Sequence, residues 1–342
     1  MAATIQSRPK LHPSFFPKDE APDFPKATAC LKKGADIDAP RFKGNLTFLH
    51  WAALKGKILV LNYLLDHGAS IDITDEMHST ALHIAVAARK TIAAQTLIRR
   101  GANVNALIPT NHLTVLHFAV QKKCREIVEI LLEAKALITA NKSGATPLHF
   151  AARMDEAGIA KQLLAANADV NAQTVEGMTT PLHIAVEFGS EEVLPILLDY
   201  GADPNIPNAA GPPSAENQKI EGPRSLIKKE ATPLHIAVVV DDESAIEQLL
   251  AAKADVNAKT IDGQTALHLA VLCNLKHITS LLIKEDADPS IEDAFGHTSS
   301  QLAAQRPEMS DLKAESSAAR RRSFDFTGIP LQLSAADRDE ET

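Results

Sequence analysis

Residues Thr146 to Ala151 read TPLHFA, Thr180 to Ala185 read TPLHIA, and Thr232 to Ala237 repeat TPLHIA. In each, a threonine stands where its side-chain oxygen can accept an exposed backbone N–H at the start of a helix. The proline after it (Pro147, Pro181, Pro233) has a ring already set for the first helical turn. The looser form Thr-x-Leu-His-x-Ala recurs at His50, His83, His117, His149, His183, His235 and His268, at intervals of 33, 34, 32, 34, 52 and 33 residues. A second landmark, Gly-Ala-Asp or a variant, keeps the same period at Gly34, Gly68, Gly101, Lys135, Asn167, Gly201, Lys253 and Asp286. Two landmarks locked to one period identify an array of stacked units.

Each unit reads as two helices. Behind the first come apolar residues at helical spacing, such as Ile127, Val128, Ile130, Leu131 and Leu132, or Val193, Leu194, Ile196, Leu197 and Leu198. They form one buried stripe. Gly68, Gly101 and Gly201 then fall just past the second helix, where a left-handed residue is favoured. Ala85, Ala119, Ala151, Ala185, Ala237 and Ala270 let neighbouring first helices approach closely. That accounts for an interior built with 45% hydrophobic but only 4% aromatic residues.

The thirty-three-residue period and the TPLH and ADVNA segments (Ala168 to Ala172 for the latter) resemble the ankyrin repeat family over roughly residues 26–305. The resemblance implies an all-α solenoid with short β-hairpin fingers, about seven full repeats and degenerate caps. The organisation expected is an N-terminal extension at 1–25, the repeat domain at 26–305 and a flexible tail at 306–342. The 52-residue interval places an insertion at 206–230 in one finger. Ala27 to Asp36 reads as an opening cap and Asp293 to Gln305 as a closing one, since end units need a polar outer face.

Lys plus Arg is 35 against 43 for Asp plus Glu, so the formal charge is −8, which argues against direct attraction to nucleic acid or anionic membrane. Apolar runs such as Ile236 to Val240 fall far short of the ~20 residues that span a bilayer, and Met1 to Lys10 lacks the apolar core of a signal peptide. A soluble, monomeric, cytoplasmic or nuclear protein is expected. Cys30, Cys124 and Cys273 are odd in number and far apart, which fits buried thiols in a reducing compartment. Equivalent histidines in adjacent helices stand ~8–10 Å apart, too far to share a zinc ion, so they are expected to staple the turn by hydrogen bonding. No nucleophile, metalloprotease, phosphate-loop or dinucleotide pattern occurs, so neither catalytic residues, metal nor cofactor are expected.

The family's usual partner groove is lined by the last residues of each first helix. Counting onward from each repeat histidine gives a basic first half (Lys55, Arg89, Lys122, Arg153, with Met154) and an apolar second half (Phe188, Val239, Val240, Leu272). The resemblance implies a non-enzymatic adaptor or regulator that grips one or more proteins there. The alternative is a nuclear transcription co-regulator acting through a DNA-binding partner, on the strength of Arg320 to Arg322. That cluster also precedes Ser323, a candidate phosphorylation site. Asn171 and Asn257 resemble the ankyrin acceptor of asparaginyl hydroxylation. Phe324 to Leu333 reads either as a segment that docks on the closing repeat or as a short linear motif.

Overall fold

The computed structural model describes residues 11–16, 22–209 and 230–306. The chain divides into two compact units, Met1–Gln218 and Lys219–Thr342. The first opens with helix α1 (Phe24–Lys32) and continues as five antiparallel pairs: α2 (Phe48–Lys55) with α3 (Ile58–Asp66), α4 (Ala81–Ala87) with α5 (Thr91–Arg99), α6 (Val115–Gln121) with α7 (Arg125–Glu133), α8 (Pro147–Arg153) with α9 (Ala157–Ala165), and α10 (Pro181–Phe188) with α11 (Val193–Asp199). The second unit holds α12 (Pro233–Val239) with α13 (Glu243–Ala251), α14 (Ala266–Leu272) with α15 (Lys276–Lys284), and the closing α16 (Ser299–Ala304).

The histidine does more than staple its own turn. In each first helix the backbone N–H of the N-cap threonine donates to the histidine Nδ1, as from Thr47 to His50 at 3.2 Å and from Thr146 to His149 at 3.1 Å. A backbone N–H can only donate, so Nδ1 carries no proton and the neutral ring is protonated at Nε2. That Nε2–H points into the next repeat. His50 donates to the Ser79 carbonyl (3.1 Å), His117 to Ala145 (3.1 Å) and His149 to Thr179 (2.9 Å); in the second unit His235 donates to Gln264 (3.2 Å) and His268 to His297 (3.2 Å). In α16, Gln301 replaces the histidine. Its Oε1 accepts from the Thr298 N–H at 2.9 Å, so the capping box survives without the outward bond.

Two further ladders join the units' repeats. An Asp or Asn side chain accepts the backbone N–H one repeat on: Asp38 from Ser70, Asp72 from Asn103, Asn105 from Leu137, Asn171 from Asp203 and Asn257 from Asp288, at 2.8–3.0 Å. Thr139, at the same position, makes no such bond among the described residues. Finger tips are linked through the backbone, with Glu76 N–H donating to the Gly44 carbonyl, Lys142 to Asn111, Val175 to Ser143, Ala209 to Gly177 and Ala294 to Asp262. The approach is close enough to demand glycine at Gly144, where a Cβ would fall 2.5 Å from the Val175 nitrogen.

The fingers are thinner than the sequence led us to expect. Among the described residues, only Leu107–Ile108 (β1) and Leu113–Thr114 (β2) form a paired hairpin, and other fingers keep isolated bridges such as Phe42 with Leu46 and Thr74 with Thr80. This hairpin also breaks the finger ladder and the imidazole series, while the Asx ladder continues through Asp72 and Asn105. Pro109 stands where its neighbours offer the linking N–H and has none to give. His83, 2% exposed, has no acceptor for Nε2; the Ala106 carbonyl favours its protonated form without meeting hydrogen-bond geometry.

The first unit also begins earlier than residue 26. Leu11 and Phe16 are buried, and Phe16 meets Phe48 edge to face at 5.1 Å while Phe24 stacks on Tyr63 at 4.6 Å. Part of the expected N-terminal extension therefore covers the apolar end of the first repeat. At the other landmark the left-handed turn is kept whatever the residue: Gly68 has φ 88°, Lys135 61°, Asn167 63° and Asp286 63°. Most of the 206–230 insertion lies outside the described residues, as does the tail beyond Arg306. At its start Asn208 is buried and Ala209 continues the finger ladder.

Burial, partly offset by the accepting carbonyl, lowers the imidazole pKa of His149 and His235 to about 4, and burial likewise brings His83 to about 4 from an ordinary 6.5. His50, His117 and His268 are lowered for the same reason. The unfolded chain binds protons that the fold refuses, so stability present above pH 6.5 drains away as the pH falls toward 4, by up to ~1.4 kcal/mol per pH unit for each histidine. Thermal unfolding should show Tm falling steeply between pH 7 and pH 5; a flat profile there would contradict the buried neutral rings. Lys135→Gly should raise the unfolding midpoint, because a non-glycine residue held left-handed costs roughly 1 kcal/mol. An unchanged or lower midpoint in denaturant would show that the turn is not strained.

Candidate functional site

The expected partner surface begins at the turns between first and second helices. The chain reverses there through one left-handed residue: Gly56 (φ 66°), Arg89 (56°), Lys123 (56°), Asp155 (53°) and Gly189 (65°). The next residue's N–H then reaches back into the first helix, as from Lys57 to the Ala52 carbonyl, Lys90 to Ala85, Cys124 to Ala119, Glu156 to Ala151 and Ser190 to Ala185. These bonds close each helix end and give the turn the same geometry in all five repeats.

Successive turns touch. The Lys90 stem crosses Gly56, where a Cβ would lie 3.3 Å from it. Lys123 Nζ reaches the next turn, donating to the Met154 carbonyl (3.3 Å) and pairing with Glu156 (2.9 Å). Asp155 Oδ1 accepts from the Glu192 and Val193 N–H groups at 3.1 and 3.0 Å. The Arg125 guanidinium lies over Gly158, where a Cβ would fall 2.1 Å from its Cζ. Both acidic residues in these turns are thus engaged. Lys55, Arg89, Lys90 and Lys122 are exposed and form no ion pair or side-chain hydrogen bond with the described residues.

Arg153 and Phe188 join the basic and apolar positions. Phe188 is 42% exposed, and the Arg153 guanidinium sits 5.0 Å from its ring centroid. That is a cation–π contact between consecutive repeats, about 0.5–1 kcal/mol at an exposed site. The sequence holds a signal for it, since Arg153 and Phe188 occupy neighbouring places after His149 and His183, although charge and hydropathy alone separate them into opposite halves of the groove. Met154, Val240 and Leu272 are half-buried. Val239 is 6% exposed and must be removed from the candidate surface, because it faces the interior at the end of α12.

The remaining candidates fall elsewhere. Asn171 and Asn257 spend their Oδ1 atoms on the repeat-to-repeat ladder. Ser323 and the Arg320 cluster lie outside the described residues. The cysteines are half-buried rather than buried, and burial pushes the Cys273 thiol up. Among the described residues, no three His, Cys, Asp or Glu side chains converge to hold a metal ion, and no helix is long and apolar enough to cross a membrane.

Comparison with known proteins agrees with this architecture. The profile for ankyrin repeats in three copies matches residues 23–108, 93–174, 141–208 and 215–309. The chain is 28% identical over 346 aligned positions to the human transient receptor potential cation channel subfamily A member 1, an alignment covering 81% of this chain and 30% of that protein. It is 27% identical over 268 positions to the mouse B-cell lymphoma 3 protein homolog, covering 75% of this chain and 56% of the relative. It therefore spans less than two thirds of either. Among solved structures, the human ASB11 ankyrin repeat domain superposes with a TM-score of 0.57 at 23% identity, over 71% of this chain and all of that one. The chain belongs to the ankyrin repeat family.

Proposed function

We propose that this chain is a non-enzymatic adaptor or regulator that binds a partner protein across the inter-helix turns of its first unit. Ankyrin repeats are protein–protein interaction modules. The observation that carries the location is the row Lys55, Arg89 and Lys122, exposed and unpaired among the described residues and standing at or just before the left-handed turn residue in three consecutive repeats of a chain whose formal charge is −8. Isolated surface charges are ordinarily scattered in sign, whereas a one-sign row attracts an acidic partner and steers its approach. Arg153 and Phe188 end the row with a fixed, partly exposed ring of the kind that anchors interfaces. Val240 and Leu272, in the second unit, remain further candidate contacts.

Surface plasmon resonance against a partner recovered by affinity purification separates these roles. Lys122→Glu should slow association and flatten its salt dependence. Phe188→Ala should speed dissociation, at a cost of roughly 2 kcal/mol if the ring is a buried anchor in the complex. Arg153→Glu should do both, because it removes a charge and the group that holds the ring. Wild-type binding by all three, with loss of binding by Glu129→Lys on α7, would place the interface elsewhere.

A further inference from the structure

We infer that the segment recognised by this row is an extended acidic strand carrying a carboxylate at every third residue. The inference rests on the row being the partner site and adds the partner's conformation and charge spacing. The first helices α2, α4, α6 and α8 pack side by side in consecutive repeats. Packed helices lie about 8–10 Å apart, and the basic groups stand at or within two residues before each left-handed turn position, so their long side chains can reach a line of contacts at about that interval. An extended chain rises about 3.3 Å per residue, so three residues cover about 10 Å, one repeat step. Acidic residues at positions 1, 4, 7 and 10 therefore fall opposite Lys55, Arg89, Lys122 and Arg153.

A helical ligand would cover one step in about seven residues, and it would need apolar anchors along its contact face. The row offers it little purchase. Between Lys55 and Lys122 the exposed face of the first helices and turns carries Arg89, Lys90 and Gln121, with Ala87 and Ala88 half-buried and Leu54 exposed; Leu59 and Ile92 are exposed beyond the turns, on the second helices. An extended segment held by charge-assisted hydrogen bonds needs no such floor.

Arg89 adds an independent argument. Of the left-handed residues in these turns, Gly56 and Gly189 carry no strain, while Lys123 and Asp155 each make bonds to the next repeat. Arg89 is held at φ 56° and its side chain makes no hydrogen bond or ion pair among the described residues. Lys135 shares that strain away from the row, so strain alone marks no site; at Arg89 it coincides with an exposed, unengaged cation between Lys55 and Lys122, which fits a contact outside the chain.

The test uses the full chain and fluorescence anisotropy at low and physiological salt with two labelled ten-residue peptides of identical composition. One has Glu at positions 1, 4, 7 and 10 separated by Ser and Thr, and the other has its four Glu contiguous. The spaced peptide should bind at least about tenfold tighter, and more weakly as salt rises. Arg89→Gly should lower its affinity about threefold to tenfold while raising Tm by about 2 to 4 °C, because the left-handed strain is relieved. Equal binding of the two isomers, binding of neither, or an unchanged affinity in Arg89→Gly would each overturn the inference. If the isomers bind alike while Lys122→Glu and Phe188→Ala still weaken the recovered partner, the spacing fails and the proposed site stands.

Discussion

The structure depends on one imidazole used at both ends. Nδ1 takes the N–H of the threonine that starts its own helix, and Nε2–H is given to a carbonyl just before the threonine of the next repeat. The first bond sets the tautomer and the second requires it, so local helix capping and repeat stacking are a single arrangement. A buried ring can do this only while neutral. Burial enforces that neutrality, which makes the same residue a source of stability near neutral pH and of weakness in acid.

The other ladders show what happens when one part is missing. Between the repeats of His50 and His83, and again between those of His117 and His149, three kinds of bond act together: the imidazole, the Asx side chain and the finger backbone. Between the repeats of His83 and His117, Pro109 removes the finger bond and His83 Nε2 lacks an acceptor, leaving only the Asp72 to Asn103 bond of the three kinds among the described residues. A buried N–H without a partner costs about 1–3 kcal/mol, so this junction is locally weaker than its neighbours. It lies in the stretch that carries Arg89 and Lys122, where the candidate surface is built.

Much of this was legible in the sequence, because one residue type at one period can be seen without coordinates. Thr-x-Leu-His placed the first helices, and Gly68 or Lys135 placed the left-handed turns. The imidazole's reach into the next repeat was not legible, since its acceptor is a backbone carbonyl that any residue supplies. Nor was the docking of Leu11 and Phe16, which obey no period and are fixed by the apolar end of the first repeat. Counting from the histidine located the basic row, but counting cannot separate Phe188, exposed under Arg153, from Val239, buried. Both are apolar residues near a helix end, and only packing tells them apart.

The row and the scaffold have one cause. A left-handed residue must close each first helix, so whatever side chain stands there or beside it is displayed at a fixed interval, and repeats one to three of the row spend that position on cations or glycine. The central claim is therefore about the rings that hold the interval. Long-range proton–nitrogen NMR of the imidazoles measures it directly, by reading the tautomer and protonation of each ring against pH. The account predicts Nε2–H tautomers for His50, His117, His149, His235 and His268 with slowly exchanging ring protons, His149 and His235 still neutral at pH 5.5, and a faster-exchanging proton on His83. Nδ1–H tautomers, or rings that titrate together near pH 6.5 in the folded protein, would contradict it.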